Sequence, residues 1–262
     1  MLPPPPPGFE RSPVPGSDLE HLDQERLQAY LRRRAPGLAE TLPPEQLGAA
    51  MGLLAQAGGR SVPTVAGLMA FGLFPQLAHP EWGLVAARIR GTHLSDPVGE
   101  RVDLEGRLTT LLDQTLSFVS EQSQAVPNLV RPDESEPEYP TVAVREAVLN
   151  ALVHRDYRAS GRVALRIFDD RLEVWSPGAL PAQLSLEQLA IHGGVSLPRN
   201  PVLAAAARSL GLIEQLGRGL TTIRRVVADV TSTPAQFRAS PAEVLVVLPS
   251  RLHVPSGPEP GN

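Results

Sequence analysis

The stretch GRVALRIFDDRLEVWSPG, residues 161–178, constrains the fold more than any other part of the chain. Val163, Leu165 and Ile167 alternate with their neighbours, Asp169 and Asp170 supply a turn, and Leu172 and Val174 resume the alternation, which predicts a β-hairpin. A hairpin alone is marginal in water, so its apolar face needs a cover. Immediately upstream, REAVLNALVHRDY (145–157) is a helix built largely of Ala, Val and Leu, and a further strand, EVLVVLP from Glu243, is expected in the same sheet. The fold class is therefore read as α+β, with an α/β sandwich around residues 140–249 whose helices lie on one sheet face.

The first half reads as mainly helical. Residues 1–17 hold seven prolines and few large apolar side chains, which predicts a disordered or extended arm. Asp23 is placed to cap a helix through Arg34, and a second helix is expected from about Pro44 to Ala57, with Leu47, Met51 and Leu54 in register. Val85, Ala87 and Ile89 alternate as on a half-buried strand. A longer helix is expected from about Asp103, its cap, to Gln122, with Thr115 the one polar residue in its apolar stripe. These elements divide the chain into an arm (1–17), a mainly helical unit (18–130), an acidic linker (131–139), the sandwich (140–249) and a flexible tail (250–262). In the second half, Ala179 to Pro198 reads as a mobile loop, Asn200 as the cap of a helix ending near Gly211, and the GRG turn at Gly217 to Gly219 as the opening of another helix.

Composition removes several chemistries. All 24 basic residues are arginine, so a P-loop lysine, a Schiff-base lysine and a lysine general base are absent. There is no cysteine, which excludes disulfides and thiolate zinc sites and makes the cytoplasm the expected compartment. The amino terminus lacks the basic and apolar segments of a signal peptide, and the longest uncharged stretch, 61–78, is broken by Pro63 and Pro75, so no membrane association is expected. The net charge of −4 gives no global reason to bind nucleic acid, although Thr141 to Arg238 carries twelve Arg against eight acidic residues. Zinc-hydrolase and serine-hydrolase spacings do not occur.

One helix face stands out. Glu146, Asn150 and His154 recur every four residues and so share one side of an otherwise apolar helix. A carboxylate there can accept a proton from water, and an amide oxygen can ligate a hard cation. Read without context, the same pattern is the polar stripe of a half-exposed helix, and the GRG turn is a tight connection between helices. His154 and Asp156, near the helix end, also suit the terminus, where a histidine cation would favour the dipole.

REAVLNALVHRDY, the hairpin ending in SPG, SLPRNPVLA and GLIEQLGRGL occur here in an order that resembles a family of bacterial proteins labelled transcriptional regulators or RecG-like proteins. The resemblance extends upstream through PTVAGLMAFG and FERSPVPGSDLEHLD. Their carboxy-terminal half is similar to the GHKL (HATPase-like) fold, which implies ATP and magnesium as cofactors. On that resemblance Glu146 would polarise water, Asn150 would hold both nucleotide and metal, and His154 would extend the site. The GRG turn (Gly217, Arg218, Gly219) would match a glycine box whose backbone N–H groups cradle phosphate. The departure lies after the hairpin. A DxGxG pattern is expected there, but Ser176, Pro177, Gly178, Ala179 and Leu180 keep only its middle glycine, and serine lacks the carboxylate charge that would accept the adenine amine.

Two readings follow from this resemblance. In the first, the chain is a nucleotide-responsive regulatory module of a transcriptional regulator, compatible with weak ATP hydrolysis; a helicase is the least favoured reading, since no P-loop lysine exists to serve a motor. Relatives carry an AlbA-like (Schlafen-like) domain ahead of the matched region, and the expectation is that this chain does without it, either as a piece truncated relative to the family pattern or as a shorter protein, so DNA binding is expected to be weak or to depend on that domain. In the second, it is a non-enzymatic interaction or homodimerisation module with a degenerate pocket.

Overall fold

The computed structural model of the protein describes residues 8–127, 133, 135–180, 185–194, 197–213 and 218–253. The first half runs α1 (Gln24–Arg34), α2 (Pro36–Ala39), α3 (Pro44–Ala50), β1 (Leu54–Ala57), β2 (Arg60–Pro63), α4 (Val65–Phe71), β3 (Leu84–Ile89), β4 (Val98–Leu104) and α5 (Leu108–Gln122). The short strands β5 (Ala125–Pro127) and β6 (Ser135–Pro137) follow as an antiparallel pair. Then come α6 (Thr141–His154), β7 (Val163–Ile167), β8 (Arg171–Pro177), α7 (Leu186–His192), α8 (Pro201–Ser209), α9 (Gly219–Ala228), β9 (Gln236–Ala239) and β10 (Glu243–Pro249).

The architecture is α+β around one six-stranded sheet in the order β4-β3-β7-β8-β10-β9. The β7–β8 hairpin pairs Leu165 with Val174 and Ile167 with Leu172, and β10 lies antiparallel to β8. Val163, Leu165, Ile167, Leu172, Val174, Val246 and Leu248 are all buried in one apolar core with Val148 and Leu152 of α6 and Leu108, Leu111 and Leu112 of α5. Thr115, the polar residue in the α5 stripe, is fully buried and donates its hydroxyl to the Leu111 carbonyl at 2.6 Å, which removes the cost of an unpaired group.

The sheet is not confined to the second half. β3 pairs in parallel with β7, from Leu84 opposite Val163 to Arg88 opposite Ile167, so elements on either side of residues 131–139 share a sheet and a core. Parallel neighbours need a long crossover, and the intervening chain, α5 and α6 included, supplies it.

Several local expectations are corrected. The second helix stops at Ala50, because Gly52 takes a positive φ and Leu54–Ala57 pairs with Arg60–Pro63 across Gly58 and Gly59, both also at positive φ. Asp103 belongs to β4 rather than capping α5, whose preceding residue is Arg107. On β3 the core takes Leu84 and Ala86, not Val85 and Ala87, and a register shift between Arg88 and Ile89 brings Ile89 back to a buried position. Residues 179–198 contain a helix, α7, capped by Ser185. Asn200 does not cap α8 through its side chain. Its amide donates instead to the carbonyls of Val153 and Arg155 at the end of α6.

Of the expected arm (1–17), residues 1–7 lie outside the described residues. From Gly8 onward it packs on the body: Glu10 is fully buried and its carboxylate accepts the Val202 and Leu203 N–H groups at 2.9 Å each. A residue 192 and 193 positions away in sequence from these two N–H groups thus satisfies the start of α8. At the other end Ser250, placed in the expected tail, is buried and donates to Glu138 at 2.6 Å.

Candidate functional site

α6 positions the site. Its apolar sides pack on the sheet and on α5, and it ends where Arg155 is drawn into the protein, donating to the carbonyls of Glu81 and Gly161 and lying 5.0 Å from the centre of the Tyr157 ring. What remains is the face bearing Glu146, Asn150 and His154. All three are half-buried, and all three line a cavity of roughly 410 Å³ between α6, α9 and the β8–β10 end of the sheet. From Glu146 to His154 this face runs about 12 Å at the rise of an α-helix.

At one end α9 comes down on α6. A methyl group in place of the Gly219 hydrogen would stand 2.7 Å from Glu146 Oε2 and 3.1 Å from Asn150 Nδ2, so the α9 backbone starts directly against both polar side chains. Arg218, preceding α9, and Thr222 and Arg225, one and two turns along it, line the same cavity. Gly217 lies outside the described residues.

At the other end Gly178 takes φ +116°, which side-chain-bearing residues avoid, and its missing Cβ would lie 2.9 Å from that of Asp156. The chains are tied there by Asp156 N–H to the Pro177 carbonyl and Gly178 N–H to the Ala242 carbonyl. Ser176 lines the cavity too, but its hydroxyl donates to the Ala151 carbonyl of α6 at 3.0 Å, leaving only lone pairs for any other partner.

The electrostatics are lopsided. Among the described residues the cavity wall carries Arg199, Arg208, Arg218 and Arg225 against a single carboxylate, Glu146. Asp156 is turned to other work: Arg158 binds it through Nε and Nη2 at 2.9 and 2.6 Å and holds its carboxyl down to about 2. Burial, with help from Arg199, brings His154 down to about 4, so the ring is neutral at physiological pH. The cation expected at the helix terminus is thereby corrected, because desolvation outweighs the dipole.

A stability slope follows. His154 has a folded pKa below its unfolded one, so the unfolded chain binds the proton first and stability is lost as pH falls from about 6.5 towards 4. We expect about 2 kcal/mol from this group, after allowing for solvent reaching a half-buried ring. Urea unfolding of the wild type and His154→Asn at pH 7 and pH 4.5 measures it. The variant should lose less stability between the two, and equal losses would refute the assignment.

Arg199, Arg208, Thr222 and Arg225 were not among the residues singled out from the sequence. The positions 218, 222 and 225 follow a helical spacing of four and three, which could have found the latter two. Arg199 sits in irregular chain, where no periodicity exists to expose it. Among the described residues no group of three or more His, Asp or Glu could hold a metal ion, and no helix is long and apolar enough to cross a membrane.

Residues 161–248 match the family described as "Putative ATP-dependent DNA helicase recG C-terminal". The matched segment takes in the hairpin, α7 to α9 and nearly all of β10, so this part of the chain is similar to a RecG-type, ATPase-like carboxy-terminal domain. It begins after α6, leaving Glu146, Asn150 and His154 upstream of the match. Among solved structures, the DIP2311 protein from Corynebacterium diphtheriae is similar at 25% identity and a TM-score of 0.64, over 92% of this chain and 47% of that one. The chain therefore spans about half the length of that protein. No curated protein matches.

Proposed function

We propose that the cavity beneath α9 is a nucleotide site and that the chain is a nucleotide-responsive regulatory module. The observation that carries this is the meeting of Gly219 with Glu146 and Asn150: the start of a ten-residue helix, without a side chain in the way, opens beside a carboxylate and an amide in a cavity rich in arginine. Backbone N–H groups at a helix start favour anions, and Arg218 adds a charged donor beside them. The similarity of residues 161–248 to an ATPase-like domain supports the same reading.

The roles of the residues follow from their chemistry. Gly219 lets phosphate oxygens approach the α9 N–H groups. In this reading the Asn150 amide oxygen ligates magnesium, and with no carboxylate cluster among the described residues such an ion would take most of its oxygens from phosphate and water. Bound there, magnesium would neutralise phosphate charge. Glu146 orients a water and takes its proton in any hydrolysis.

The test is calorimetric titration of the whole chain with nucleoside di- and triphosphates, with and without magnesium. Saturable, magnesium-dependent binding at one site is expected. The competing reading, an interaction or dimerisation module with a degenerate pocket, draws on Ser176, whose hydroxyl proton is committed to Ala151 where a carboxylate would otherwise accept a base amine. Absence of heat from every nucleotide, together with a dimer that dissociates on mutation of Leu220 or Val226 in the cavity wall, would favour that alternative.

A further inference from the structure

The two ends of the cavity differ in what they can recognise. The Glu146, Asn150 and Gly219 end suits phosphate and metal. The Gly178 end, about two turns of α6 away, must then hold the base, and the polar groups there among the described residues include Ser176, His154 and Arg199. This step rests on the nucleotide reading proposed above.

Arg199 is held in place there. One guanidinium nitrogen, Nη2, donates to the Ala179 carbonyl, and Nη1 lies 3.6 Å from Asp156 Oδ2, so the group is fixed beside Gly178 with N–H donors to spare. A guanidinium has no acceptor. The Asp156 carboxylate, which could have accepted an exocyclic amine, is held by Arg158 and Arg199, and the Ala179 carbonyl is engaged by Arg199 itself. His154 is uncharged, and Ser176 offers only neutral lone pairs. Beside a fixed, charged donor, the strongest interaction open to a base edge is therefore one that places an acceptor against it.

Adenine and the 6-oxopurines differ at this point. Adenine carries an amino donor at position 6, whereas guanine and hypoxanthine carry a carbonyl acceptor there with N7 beside it, the pair that arginine binds through two parallel hydrogen bonds. The apolar walls from Leu186, Leu189 and Leu197 suit a purine ring of either kind and do not discriminate. We propose that the base end of this cavity selects 6-oxopurine nucleotides, with Arg199 as the specificity-determining donor.

The experiment is titration of the whole chain with GTP, ITP and ATP, each with magnesium, for the wild type, Arg199→Gln and Arg199→Lys. GTP and ITP should bind the wild type about tenfold more tightly than ATP. ITP separates the 6-carbonyl from the 2-amino group of guanine. Arg199→Gln, which presents both a donor and an acceptor, should abolish or invert the preference, while Arg199→Lys, still a donor-only cation, should keep its sign. Ratios within one variant are insensitive to general loss of stability, and if the glutamine variant does not fold the wild-type ranking still decides. ATP binding as tightly as ITP, GTP binding tightly while ITP does not, or a preference that survives in Arg199→Gln would each overturn the proposal while leaving nucleotide binding intact. No binding of any of the three would overturn the nucleotide reading and this inference with it.

Discussion

Asn150→Ala should weaken binding of a magnesium-bound nucleoside triphosphate roughly 10- to 100-fold and leave magnesium-free binding within about threefold, the usual scale for removing a residue that holds or supports a metal. Glu146→Ala should do the reverse: affinity stays within about threefold, and any hydrolysis falls by about 100-fold or more, because a base that takes a proton from water acts chiefly in the transition state. The two side chains sit one turn apart and both lie against Gly219, so a merely structural disturbance would affect them alike. Opposite signatures in binding and turnover therefore separate chemical roles from packing. Titration with and without magnesium, alongside phosphate release, reads both. Equal losses in the two variants, independent of magnesium, would contradict the assignment.

Glu10→Ala is expected to destabilise the fold by about 3 kcal/mol. The variant strips two charge-assisted hydrogen bonds and leaves the Val202 and Leu203 N–H groups buried at the start of α8 without their acceptor. Burial raises the Glu10 carboxyl, and the two N–H bonds pull it back down, so the ionised form is under opposing pressures in the folded protein. Urea unfolding at pH 7 measures the loss. A change below about 1 kcal/mol would mean that water or another group satisfies α8 when the carboxylate is gone. Because α8 also carries Ala204 and Arg208 in the cavity wall, a weakened start of this helix should loosen the site as well.

The elements that could be read from sequence are those whose information is local. The hairpin follows from alternation across Asp169 and Asp170, α6 from helical spacing with a polar face, and the start of α9 from the GRG turn. The spacing of Glu146, Asn150 and His154 correctly places them on one side of a helix, since that is a matter of geometry within fourteen residues. Other features depend on partners far along the chain. The capping of α8 by Glu10 joins positions 192 and 193 residues apart, and nothing in PVLAAAARS announces it. The side of β3 that faces the core is set by pairing with β4 and β7, which also decides that Asp103 is strand rather than helix cap. Met51 and Leu54 continue a helical stripe from Leu47, but the Gly58–Gly59 turn lets Leu54 reach the core from a strand instead. For the site, the charge of His154 was misread because burial cannot be seen in a single helix, and Arg199 was missed because it lies in irregular chain.

The proposed phosphate end rests on one close approach, and one substitution tests it. Gly219 has an ordinary backbone conformation and opens a helix, so a side chain there is tolerated by the backbone while filling the space against Glu146 and Asn150. The measurement is calorimetric titration of magnesium and nucleoside triphosphates into the wild type and Gly219→Val, side by side, with thermal unfolding as a check on folding. A saturable heat at one site in the wild type, lost in a variant that still unfolds cooperatively within a few degrees of it, is the predicted result. Equal affinity in the two proteins, or no heat in either, would contradict a nucleotide site beneath α9.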